Sequence, residues 1–163
     1  MQGTVDDTVD FGGRCHVVRW EEGRGELIRL AEYLRSLPGH QGIRPYRGSE
    51  AWQKDGIAVS LMGSLPVTRY DGYLFDGNCA ALIPKNQDHL PAIWCFCSSP
   101  DFGEAVRRID QKLNVTNATL GKVPFDLAHW NAVAEARYPD GLPQPYSEDP
   151  TQWIFHGHPK PAT

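Results

Sequence analysis

GIAVSLMGSLPVTRYDGYLFDGNCAALIPKN, residues 56–86, decides how the rest of the chain is read. Ile57, Val59 and Leu61 alternate with Ala58, Ser60 and Met62, the period of a β-strand with two distinct faces. Val67, Thr68, Tyr70, Tyr73 and Phe75 favour extended backbone, and Asp71-Gly72 and Asp76-Gly77 are hairpin turn signals. CAALIP (79–84) reads as a further strand, closed by Pro84. The serine of MGSLP (62–66) lies between small residues, and a turn explains it better than a nucleophile does. This stretch therefore predicts a small sheet.

Elements on either side extend the pattern. CHVVRW (15–20) reads as a short strand. GELIRLAEYLRSLPG (25–39) places Leu27, Ala31 and Leu34 on one helical face, with Leu30 and Leu37 beside them, and Pro38-Gly39 ends it. HQGIRPYRGSEAWQKDG (40–56) is a loop carrying Gly and Arg. LPAIWCFCSSP (90–100) is an apolar run whose periodicity fits a buried strand or a buried helical turn equally. Ser99 and Pro100 then suit an N-cap and a first helical residue, followed by Phe102, Val106, Ile109 and Leu113 at helical spacing. NVTNATLGKVPF (114–125) reads as a turn and a strand. Asp126 suits the cap of a helix over LAHWNAVAEARY that buries Leu127, Trp130 and Ala134 and stops before Pro139.

Together these predict an α+β fold: a mixed or antiparallel sheet with two or three helices and an extended, Pro-rich C-terminal tail. Residues 1–13 are polar and aperiodic and are expected to be disordered, 14–138 form the domain, and 139–163 form the tail. Within the tail, DPTQWIFHGHP (149–159) reads as a connector packed by Trp153 and Phe155.

Composition narrows the function. The chain has 163 residues, 40% of them apolar, and no run long enough for a membrane span. Its acidic N-terminus lacks the apolar stretch of a signal peptide, so a cytoplasmic location is expected. Cys15, Cys79, Cys95 and Cys97 are expected as free thiols. The net charge of −4 argues against binding of nucleic acid by bulk charge, yet residues 27–125 hold eleven bases against nine acids, which permits a local basic face. Phosphate loops, dinucleotide-binding turns, serine elbows and paired metalloprotease histidines are all missing. Cys95 and Cys97 with His156 and His158 form a poor zinc set, because Cys-x-Cys is short and His-x-His lies among prolines. No metal site and no catalytic residue is assigned.

From about Trp52 to Pro159 the chain resembles the C-terminal, target-recognition part of large adenine-specific (N6) DNA methyltransferases, the type IIG-like restriction–modification enzymes and their phage-defence relatives. A Gly-led strand, Gly56-Ile57, precedes a segment ending in Ile-Pro, here Leu82-Ile83-Pro84. An apolar run ending in serine, AIWCFCSS (92–99), opens a helix, with Cys97-Ser98 or Ser98-Ser99 where the family commonly has Asn-Ser. Lys122-Val123-Pro124-Phe125 follows, and the tail from Tyr138 is similar to the segment after this domain in some members. The resemblance implies double-stranded DNA and a catalytic methyltransferase domain or subunit as partners. It also implies S-adenosylmethionine for the parent enzyme but not for this chain. The family's cofactor fold and Asn-Pro-Pro-Tyr-type loop are missing, and LPQPYS (142–147) has the wrong order for that loop. A non-catalytic fragment or subunit is thus expected. Arg44, Arg47, Lys54 and Arg69 are its candidate phosphate contacts, and Tyr46 and Trp52 its candidate base contacts. The alternative reading is a protein-interaction domain that docks on a catalytic subunit without touching DNA.

Overall fold

The structure is a computed structural model that describes residues 1–19, 21–40 and 48–144. Among these residues lie five α-helices and one three-stranded antiparallel sheet, so the α+β class holds, with more helices than the two or three expected. The strands are β1 (Asp55–Ser60), β2 (Val67–Asp71) and β3 (Cys79–Leu82), in the order β2-β1-β3.

β1 is therefore the centre, and the one tight hairpin joins it to β2. Its turn is MGSLP: Leu65 N–H donates to Met62 O at 3.1 Å, and Gly63 and Leu65 both take positive φ. The Asp-Gly pairs do not make hairpins, because residues 72–78 must cross β1 to reach its other edge. Gly72, at φ 87°, instead receives the corner before β1: Gln53 N–H donates to Gly72 O at 2.9 Å, and a Cβ on Gly72 would lie 2.6 Å from Gln53 Cα.

β1 is buried on both faces, since Gly56 to Ser60 are all buried. Ile57 and Val59 face the main core, together with Val67 and Ala80. Ala58 faces a second, smaller cluster with Ala51 and Tyr70. On the main-core side lies α2 (Leu90–Cys97), which settles the ambiguity of the apolar run in favour of a helix; it is apolar nearly all round because it is buried nearly all round. α3 (Pro100–Ile109) and α5 (Leu127–Arg137) pack on it: Phe96 lies 5.6 Å from Phe102 and 5.3 Å from Trp130 between ring centres. Asp126 caps α5 as expected, accepting from His129 N–H at 3.1 Å.

The other side is closed by a segment expected to be disordered. Residues 1–14 run along the sheet without regular structure of their own. Val9 N–H donates to Val67 O, Arg69 N–H donates to Asp10 O, and the Ser60 hydroxyl bonds both backbone groups of Val5. Gln2 is fully buried; its amide donates to Gly3 O and Gly12 O and accepts from Arg14, which pairs with Asp71 at 3.1 Å. Burial pushes the Asp71 carboxyl above its ordinary value, further than Arg14 draws it down. A polar, Gly-containing composition hid this role, since what orders the segment is hydrogen bonding to a distant edge.

Three further expectations are corrected. Residues 15–19 of CHVVRW form no strand, because residues 9–10 already occupy the outer edge of β2; Val17 is 74% exposed. The helix expected to run to Leu113 ends at Ile109, and Leu113 is exposed. Residues 114–125 hold a helical turn, α4 (Asn117–Leu120), and no strand, because the Thr116 side chain accepts from Thr119 N–H and so favours a cap over a ladder. The helix expected over 25–39 is α1 (Glu26–Ser36), where Ala31 is buried and Leu30 stays 46% exposed. The tail is described only to Gln144, and the connector 149–159 lies outside the described residues.

Gly56 is a sharp constraint on the sheet: a Cβ there would lie 2.3 Å from Leu82 O and 2.8 Å from Ile83 Cδ1. Gly56→Ala is expected to destabilise the domain by about 1–3 kcal/mol in urea unfolding. Gly77→Ala, where an added Cβ meets nothing within 4 Å, is expected to stay within about 0.5 kcal/mol of wild type.

Candidate nucleic-acid interface

Of the six expected DNA contacts, Arg44, Tyr46 and Arg47 lie outside the described residues. The structure separates the other three. Trp52 closes the short 3-10 turn Ser49–Ala51, half-buried, with its backbone N–H donating to Ser49 O at 3.1 Å. Lys54 follows at the start of β1, exposed, its ammonium donating to Glu50 O at 2.7 Å. Arg69 lies elsewhere, on the main-core face of β2. Its guanidinium donates to Pro143 O at 3.2 Å and stacks 5.5 Å from the Phe11 ring centre, and burial lowers its pKa. That environment makes Arg69 a brace between the N-terminal segment and the start of the tail, poorly placed for a phosphate.

Sequence reasoning missed Lys85. It is exposed just beyond β3, and the β1–β3 register, Ile57 opposite Leu82, continued outward sets Lys54 opposite Lys85. Both lysines line one cleft of about 990 Å³, along with Gly48, Glu50, Asp76 and Gln87. This end of the sheet is fastened: Gln87 donates to Asp55 O at 3.1 Å, and Asn86 accepts from Asp88 N–H at 3.1 Å. Gln53, held by Gly72, stands exposed next to Lys54. The outcome is a polar rim with two ammonium groups from opposite ends of the sequence stretch. Only the strand register reveals that pairing, so no local motif could have signalled it.

Arg107 and Arg108, in the last turn of α3, are engaged within the fold. Arg107 bonds Gly63 O at 2.6 Å and also Lys112 O, joining the β1–β2 turn to the loop after α3. Arg108 pairs with Glu104 on the same helix at 3.5 Å. Asp110, below its ordinary pKa, accepts from Lys112 N–H and from the Thr119 hydroxyl and so sets the same loop.

On the helical α2, Cys95 and Cys97 point about 200° apart and cannot share a ligand face as residues i and i+2 of a strand would. The expected free thiols are observed, with Cys15 exposed and the other three buried. His156 and His158 lie outside the described residues. No protein-family model matches the chain, and no curated protein matches it.

Burial pushes the Cys79 thiol up to about 12, with Asp76 adding to the shift, and raises Cys95 and Cys97 as well. At pH 8 the native protein is therefore expected to release one equivalent rapidly from an aromatic disulfide reagent, through Cys15. The remaining three equivalents should appear only on unfolding. Four fast equivalents would contradict this packing.

Proposed function

We propose that the chain is the DNA-recognition portion of an adenine-N6 DNA methyltransferase of a restriction–modification or phage-defence system. Methyl transfer itself belongs to a partner domain or subunit that binds S-adenosylmethionine. One observation carries the reading. Three of the segments on which the family resemblance rests, Leu82–Pro84, residues 92–99 and residues 122–125, are far apart in sequence, yet they line a single apolar cleft of about 220 Å³. Leu82, Ile83 and Pro84 form one wall, Ile93, Phe96 and Cys97 a second, and Val123 and Phe125 a third. Phe96 and Phe125 lie 5.4 Å apart between ring centres, and Gly56 abuts Leu82 and Ile83. The resemblance thus follows a packing unit, which is what a shared fold preserves.

In this reading the rim at the start of β1 and the end of β3 faces DNA. Lys54 and Lys85 neutralise phosphates and fix the register of the duplex. Gln53, the exposed amide between the Gly72 anchor and Lys54, is suited to the paired donor and acceptor of an adenine edge in the major groove. Arg44, Tyr46 and Arg47, outside the described residues, stay in the proposed contact set. Arg69 is left out of it.

Fluorescence anisotropy of a labelled duplex, titrated from about 50 to 200 mM salt, tests the reading. Binding is expected to weaken linearly on a log–log plot. Lys54→Ala and Lys85→Ala should each lower the slope by about one. No binding at 50 mM salt, or slopes unchanged in both variants, would overturn it.

A further inference from the structure

The two edges of the sheet are treated differently. On the β2 edge the chain supplies its own extra strand-like segment, through the bonds of Val9 and Asp10 to Val67 and Arg69. On the β3 edge, among the described residues, nothing pairs. The register fixes which groups are left: Leu61 N–H donates to Asn78 O, so Ala80 and Leu82 turn their backbone toward β1. Cys79, Ala81 and Ile83 turn theirs outward. Cys79 N–H is taken by Asp76 O, which leaves Cys79 C=O, both groups of Ala81, and Ile83 N–H without a partner among the described residues.

Natural edges are usually blunted by charge, proline or a bulge. From Cys79 to Ile83 this edge carries none of these. It runs instead along a trough. The 990 Å³ cleft lies beside Cys79, Ala81 and Ile83, with Leu27 and Phe75 among its walls, and the 220 Å³ apolar cleft lies beside Leu82 on the other face. An added strand would send alternate side chains into these two clefts. The trough is also electrically polarised along its length. Asp76 lies at the Cys79 end and Lys54 and Lys85 at the Leu82 end.

We propose that the β3 edge is a binding site for an extended peptide segment of a protein partner, which adds antiparallel to β3 as a fourth strand. Its chemistry follows from the trough. Backbone bonds form to Cys79 C=O, Ala81 and Ile83 N–H. Two apolar side chains, opposite Ala80 and Leu82, point toward the apolar cleft. An acidic residue at the segment's N-terminal end meets Lys85 and Lys54, and a basic residue at its C-terminal end meets Asp76. This inference does not depend on whether the domain reads DNA.

The test is titration of the whole chain into fluorescein-labelled, end-capped peptides at low salt. ETTVTVTK has the required order. KTTVTVTE exchanges the charges, and ETTVPVTK removes the backbone N–H opposite Ala81. Saturable binding of the first is expected, at least tenfold weaker binding of the second, and none of the third. Lys85→Glu, an exposed change whose folding circular dichroism verifies, should narrow or reverse the preference between the two charged orders. Failure of ETTVTVTK to bind, or equal binding of the proline peptide, would overturn the proposal. Peptide binding that persists in wild-type chain lacking any affinity for DNA would sink the DNA reading and leave this one standing.

Discussion

A strand buried on both faces needs a cover on each, and β1 draws its two covers from different parts of the chain. Ile57 and Val59 rest on α2, itself held by α3 and α5, and removing each such side chain from water is worth roughly 1.5–3 kcal/mol. Ala58 and Ser60 face residues 1–14 and the Tyr70 cluster, where the contacts are hydrogen bonds more than apolar area. Ser60 suits that second face because its hydroxyl bonds both backbone groups of Val5, while Gly56 leaves room for the close approach of Leu82 O. The buried Gln2–Arg14–Asp71 network then locks the cover in one register, since each buried polar group needs its particular partner.

The architecture explains why some elements were legible in the sequence and others were not. Asp126, Ser99-Pro100 and Pro38-Gly39 act through neighbours a few residues away, so their helix boundaries could be read locally. CAALIP and the β1 alternation identified strands for the same reason. The misread parts depend on remote partners. The N-terminal segment is ordered only by an edge some sixty residues away, and CHVVRW is denied an edge that another segment fills. Strand order was also invisible: Asp-Gly pairs suggest a meander, whereas residues 72–78 cross over and use Gly72 to anchor Gln53.

The candidate interface was half legible. Lys54 was found from its loop, while Lys85 emerges only when β1 and β3 are paired. Arg69 looked equivalent to Lys54 in sequence, but its place in β2 turns it toward Phe11 and Pro143. An overall charge of −4 is compatible with a small basic rim, because screening confines a charged group's influence to about a Debye length, roughly 10 Å at 0.1 M salt. The same rim meets the end of the open β3 edge. The proposed DNA contact and the proposed strand addition thus fall on adjoining surfaces.

In the function proposed above, the rim joining the start of β1 to the end of β3 meets DNA. Hydrogen–deuterium exchange of the whole chain, with and without a duplex at low salt, measures this surface directly. The account predicts slowed exchange at residues 48–56 and 83–89 and no change along α3. Slowing confined to α3 and the loop after it, with the rim unaffected, would contradict it.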